Sequence, residues 1–239
     1  MKSIVIILAL LFAAIPASAQ ELQVPDVIYP ILRSQAKLPS DFVPTGWKLE
    51  KELTGDLNKD GWLDAVMVLV DNDPNNIVAD PQYSDREPFN SNPRMLAVVF
   101  AEPNAKSYKL MLENHKFLPR FIDLGGQENY EDGNISLDRG TIRIELFNLG
   151  GSIVRPSFQF RWQNNQFELI GFQNTIVDRS SGSVRSTEIN FSTGVVVRST
   201  GSISSDAQKT KTLKLKPGPV YTLDYDGDGF ALENAIEER

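Results

Sequence analysis

Between Trp47 and Lys216 the chain is a succession of short β-prone runs, and no long helical stretch interrupts them. Ala65–Val70 and Met95–Phe100 are unbroken apolar runs, the pattern of strands buried on both faces. Lys109–Leu112 is a shorter run. Thr141–Phe147 alternates, placing Ile142, Ile144 and Leu146 on one face, and Ser157–Trp162 does the same with Phe158, Phe160 and Trp162. Asn164-Asn165 between that run and Phe167–Phe172 signals a tight hairpin, because asparagine tolerates positive φ. Glu188–Phe191, Ser192–Gly194 and Val195–Arg198 read as a second hairpin. Thr212–Lys216 is a last strand, stopped by Pro217-Gly218-Pro219. The expected fold is therefore mostly β: an antiparallel sandwich, a meander or a partial propeller-like stack.

Ahead of the strands, Pro30 opens a short helical pattern over Ile31–Ala36, which Pro39 ends. This predicts a short N-terminal helix on an arm spanning 20–46, pinned to the body by Phe42 and Trp47. Asp71–Pro93, Arg179–Arg185 and Ser199–Lys211 read as loops, the first unusually long for a connection. No clean boundary divides 20–239, which is taken as a single β-rich domain.

The first nineteen residues have the form of an export signal. Lys2 supplies the positive start, Ile4–Ile15 the apolar core, and Pro16 breaks it before Ala17-Ser18-Ala19. Cleavage after Ala19 would leave a chain beginning at Gln20 in the periplasm or outside the cell. The apolar run is short for a bilayer span, and no later stretch has the length for one. No nucleic acid is expected as a partner, because the formal charge is −7. No disulfide, thiolate nucleophile or cysteine zinc site is possible without cysteine. A Ser-His-Asp triad or a two-histidine metal site is disfavoured, because His115 is the only imidazole.

Part of the acidity is organised. Gly55-Asp-Leu-Asn-Lys-Asp-Gly-Trp-Leu-Asp64 sets side-chain oxygens at Asp56, Asn58, Asp60 and Asp64, relative positions 1, 3, 5 and 9. Gly61 occupies position 6, where the turn is sharp, and the Trp62 carbonyl falls at position 7. An all-oxygen set on a flexible loop suits Ca2+ better than Mg2+, which demands strict octahedral geometry. Position 12 is Met67 and a strand follows, so the loop is not an EF-hand. It resembles the calcium loop of FG-GAP repeats, which opens directly into a strand.

Near the C-terminus, Asp224, Asp226 and Asp228 stand at positions 1, 3 and 5, with Gly229 at 6, the Phe230 carbonyl at 7 and Glu233 at 10. That spacing is similar to the loop of Excalibur domains, small extracellular calcium-binding modules of bacteria, with Leu232 where those carry a cysteine. The whole layout resembles exported bacterial proteins of unassigned activity: an export signal, then Pro44, Gly46 and Trp47, the acidic loop, and hairpins such as Phe167–Gly171. The resemblance brings no catalytic residues with it.

Other groups carry less. Asp71, Asp73, Asp80, Asp85 and Glu87 read as a solvated polar loop rather than a cation site or carbohydrate cleft. Glu128, Glu131 and Asp132 offer a carboxylate pair for glycoside hydrolysis, a chemistry that needs a definite separation across a cleft. His115 reads as a surface histidine. Phe158, Phe160, Trp162, Phe167 and Phe172 fit a core face better than a sugar-stacking platform. Arg179, Arg185, Arg198 and Lys209–Lys216 make the later third more basic, as exposed hairpins require for solubility. The expected function is a secreted or periplasmic calcium-binding protein, non-enzymatic, partnered by a protein or glycan of the cell envelope. The alternative is a secreted hydrolase acting on envelope glycans.

Overall fold

The computed structural model describes residues 22–79, 81, 85, 87–103, 106–121, 130, 134–225 and 227–237. In chain order its first strands are β1 (Gln35–Ala36), β2 (Trp47–Gly55), β3 (Asp64–Asp71), β4 (Ile77–Val78), β5 (Phe89–Asn90), β6 (Arg94–Ala101) and β7 (Tyr108–Asn114). There follow β8 (Ile135–Asp138), β9 (Thr141–Glu145), β10 (Asn148–Leu149), β11 (Ser152–Gln163) and β12 (Gln166–Asp178). β13 (Ser183–Asn190), β14 (Val195–Ser202), β15 (Ser205–Lys214) and the helix α1 (Gly229–Glu237) complete the set. Among the described residues the fold is mostly β and antiparallel, with no closed barrel. One sheet has the order β1-β7-β6-β3-β2, and the larger runs β15-β14-β13-β12-β11-β9-β8 with β10 beside β11. Among the described residues no helix is long and apolar enough to cross a membrane.

The unbroken runs of β3 and β6 have a clear cause. Val66, Val68, Leu96 and Val98 face the main core, which the smaller sheet shares with Ile142, Ile144, Phe158, Phe160 and Phe172 of the larger one. Ala65, Met67, Leu69, Met95, Ala97 and Val99 face the other way, into a second cluster covered by Leu32 and Phe42 of the N-terminal arm. From Ala65 to Leu69 neither side of β3 meets water, so neither side is polar there. The larger sheet buries one face only. There Glu145, Ser157, Gln173 and Glu188 form a polar row directly across neighbouring strands, which is why those strands alternate.

The hairpin at Asn164-Asn165 forms as expected, with φ of 51° and 62°. The Glu168 carboxylate gathers the side-chain amides of Gln163, Asn164 and Gln166 around it, which holds it below the usual carboxylate range. The turn between β13 and β14 closes at Gly194, φ 67°. The aromatic residues of β11 and β12 lie in the core: Phe158, Phe160, Phe167 and Phe172 are buried and Trp162 packs beside them.

Four local expectations need correction. No helix forms over Ile31–Ala36. Gln35 and Ala36 instead pair with Lys109 and Tyr108 at the edge of β7, because six residues cannot sustain a helix alone and an open edge offers ladder bonds. The helical turn comes later, at Pro39–Phe42, where Pro39 opens it rather than ending a helix; Asp41 accepts from the Leu38 N–H at 3.1 Å. Most of Ser199–Lys211 belongs to long strands rather than a loop, whereas in Arg179–Arg185 residues 179–182 do form a turn and only Ser183, Val184 and Arg185 join β13. The β14–β15 ladder carries one register irregularity, between Thr200 and Ser202, and the outermost strand, β15, is exposed and carries Lys209, Lys211 and Lys214, the charge pattern that discourages edge-to-edge pairing. Asp71–Pro93 contains a 3-10 turn at Pro74–Asn76 and the short β4–β5 ladder.

Candidate functional site

The Gly55–Asp64 loop joins β2 to β3 at the junction of the two sheets. Leu57 points down and is buried in the main core. The remaining side chains curl over the backbone above it. Asp56 Oδ1 accepts the Asp60 N–H at 3.1 Å and its Oδ2 accepts Gly61 N–H at 3.0 Å. Asn58 Oδ1 also accepts from Asp60 N–H at 3.0 Å, and Asp60 Oδ1 from Trp62 N–H at 2.8 Å. The turns this requires put Lys59 at φ 66° and Gly61 at φ 89°. Glycine suits position 6 because that φ is costly for any residue with a Cβ. Trp62 and Leu63 stand half-exposed and exposed on the rim.

Asp64 is the exception among the four carboxylate and amide positions. It is 0% exposed, with Oδ2 accepting from Leu57 N–H at 2.9 Å and Oδ1 from Ala101 N–H at 3.0 Å. Burial pushes its carboxyl above the usual range, and those two N–H bonds partly oppose the shift. Its place at the base of the loop follows from the strand it begins: β3 is buried on both faces from its first residue. The turn between β8 and β9 leans on the same base, and a Cβ on Gly140 would stand 3.1 Å from the Asp56 carbonyl oxygen. Among the described residues, no three histidine, aspartate or glutamate side chains are gathered in a position to hold a metal ion. Asp56 and Asp60 face loop amides, while Asp64 faces inward.

The second acidic stretch folds differently from its spacing. Asp226 lies outside the described residues, and Asp224 is exposed. Asp228 caps α1: its Oδ1 accepts the Ala231 N–H at 2.7 Å. Gly229 has no positive φ; it is glycine because a Cβ there would stand 2.3 Å from Leu146 Cδ1. The Phe230 carbonyl lies in the first helical turn, where the ladder uses it. Glu233 is buried on the helix face toward the larger sheet and accepts from Asn174 Nδ2 at 2.6 Å. Burial raises its carboxyl, the Asn174 bond opposes that, and nearby Glu237 adds to it. The helix wins over a ligand loop because Leu232 and Ile236, one turn apart, both reach the main core.

Asp80, Glu128, Glu131 and Asp132 also lie outside the described residues, while Asp85 and Glu87 are exposed. His115 is half-buried, not a surface histidine: its ring stacks on Tyr29 of the N-terminal arm, centroids 4.3 Å apart.

Sequence reasoning missed a polar knot inside the long Asp71–Pro93 connection. Asn76 Nδ2 donates to Asp71 Oδ2 at 3.1 Å and to Asn92 Oδ1 at 3.0 Å. Arg120 clamps the knot from behind, donating to Asn76 Oδ1 at 2.8 Å, the Ser91 carbonyl at 2.5 Å and the Pro25 carbonyl at 2.6 Å. The signal in the sequence is the density of asparagine and aspartate on both sides of the connection, at 71–76 and 90–92. Compared with known proteins, the chain matches no family model, no curated protein and no solved structure.

Proposed function

We propose that this is an exported calcium-binding protein whose Asp56–Asp64 loop takes the ion and whose role is binding rather than catalysis. The observation that carries the reading is the backbone of that loop. Oxygen-bearing side chains at positions 1, 3 and 5 are combined with left-handed residues at positions 4 and 6, Lys59 and Gly61, just before a buried strand. Asp56, Asn58, Asp60 and the Trp62 carbonyl supply the outer oxygens. Asp64 braces the loop from beneath through Leu57 and Ala101. A bound Ca2+ neutralises the repulsion between Asp56 and Asp60 and stiffens the lead into β3. Export rests on the Lys2–Ala19 segment, and a protein or glycan of the cell envelope is the partner this compartment implies.

The test is a thermal melt of the chain from Gln20 in excess calcium and in excess chelator. Calcium at a hundredfold over its Kd contributes about 2.7 kcal/mol. For a chain of this size that raises Tm by roughly 5–10 °C. Asp60→Ala should remove most of the difference. Superimposable melts with and without chelator would overturn the reading.

A further inference from the structure

A cleft of about 510 Å³ opens where β2, β3 and β6 meet the polar knot. Its floor carries Lys48 and Glu50 from β2 and Arg94 from β6; its walls are Asn72–Pro74 on one side and Asn90 and Asn92 on the other. The size is within the usual range for small-molecule sites, roughly 300–1,000 Å³.

The cleft is built to hold its shape. Asn92, 7% exposed, accepts from Asp73 N–H at 3.1 Å and donates through Nδ2 to Asn90 Oδ1 at 2.7 Å. Asp73 in turn accepts from Asn75 N–H at 2.9 Å. On the floor, Arg94 donates to both Glu50 oxygens, at 2.6 and 2.8 Å. Arg120 anchors the far side of the same network. A connection that served only to join two strands would need none of this; fixing amides and carboxylates in place cuts the ordering cost of binding a polar ligand.

The chemistry of the lining selects among ligands. An anion would meet Asp71 and Asp73 and would find Arg94 already neutralised by Glu50. A cation would meet the Lys48 ammonium, and no three acidic or histidine groups among the described residues converge to hold a metal. A hydroxyl both donates and accepts, so it suits a surface that mixes amides, carboxylates and an ammonium. Val70, Pro74 and Ile77 add an apolar strip for the C–H face of a ring. We propose that this cleft binds a neutral carbohydrate unit, one or two rings in size. The site is separate from the cation loop and does not depend on calcium.

Saturation-transfer-difference NMR on the chain from Gln20 tests this, with methyl β-glucoside, maltose, N,N′-diacetylchitobiose and galacturonic acid as probes at millimolar concentration, in chelator throughout. Saturation transfer to at least one neutral saccharide is expected, with the acidic sugar weaker. Asn72→Ala and Lys48→Ala, both at exposed positions, should each weaken the apparent affinity about fivefold while leaving the melt unchanged. Asn58→Ala in the cation loop should leave binding intact. No transfer to any neutral probe, equal transfer in both cleft variants, or preference for galacturonic acid would each overturn the proposal.

Discussion

The Asp64 carboxylate joins two points far apart in the chain: Oδ1 accepts the Ala101 N–H at 3.0 Å, and Oδ2 accepts the Leu57 N–H at 2.9 Å. One buried side chain thus ties the acidic loop to the end of β6. Both donors are backbone groups.

Asp64→Asn tests this tie. The amide presents an NH2 where an oxygen is required, so one backbone N–H faces a donor inside the protein. Urea unfolding should show a loss of about 2–3 kcal/mol. Asp60→Ala on the exposed side of the same loop should cost well under half of that in chelator. Equal losses would mean that Asp64 does not act as the brace.

Gly61 and Gly229 occupy the same position in two loops of like spacing, and the structure separates them. Gly61→Ala meets no neighbour but forces a Cβ onto φ 89°, a cost of about 1–2 kcal/mol. It should also weaken calcium binding by calorimetry. Gly229→Ala drives a Cβ into Leu146 and should cost about 1–3 kcal/mol by overpacking, with calcium binding unchanged.

Glu233 gives the pH prediction. Its folded carboxyl is raised above the ordinary value of 4.5 by burial and by Glu237, so the folded state holds the proton more tightly than the unfolded chain. The favourable contribution is complete below the unfolded pKa and is lost as pH rises through the folded one. Glu233→Gln keeps an oxygen for Asn174 and removes the buried charge. It should therefore be more stable than the parent at pH 7, and the two should converge as pH falls below 4.5. Denaturant midpoints across that range check it. A variant less stable than the parent at pH 7 would contradict the assignment.

Arg120→Lys tests the clamp behind the polar knot. A lysine cannot reach Pro25, Ser91 and Asn76 with one planar fork. Hydrogen exchange should speed up at Asn76 and Asn92, with a global loss of about 1–3 kcal/mol from stranded acceptors.

How much was legible depended on where each element gets its stability. β3 and β6 were plain, because burial of Val66 and Val68 on one side and of Ala65, Met67 and Leu69 on the other writes an unbroken apolar run. β13 to β15 were half hidden. Ser183–Ser186 and Ser199–Thr212 have little apolar pattern, and it is the ladder to β12 and β14 that makes them strands. The helix α1 was concealed by Asp224, Asp226 and Asp228, whose spacing reads as a ligand loop. Only docking of Leu232 and Ile236 shows that Asp228 is a helix cap.

The sequence alone determined the antiparallel β architecture, the turn at Asn164-Asn165 and the oxygen spacing of Asp56, Asn58 and Asp60, because each is written in neighbouring residues. Only the tertiary structure decided that Asp64 is a buried brace, that Glu233 faces Asn174 and that the Asp71–Pro93 connection is a polar knot held by Arg120. In each case the partner lies far away in the chain, and a local pattern carries no information about which distant backbone or side chain will meet it.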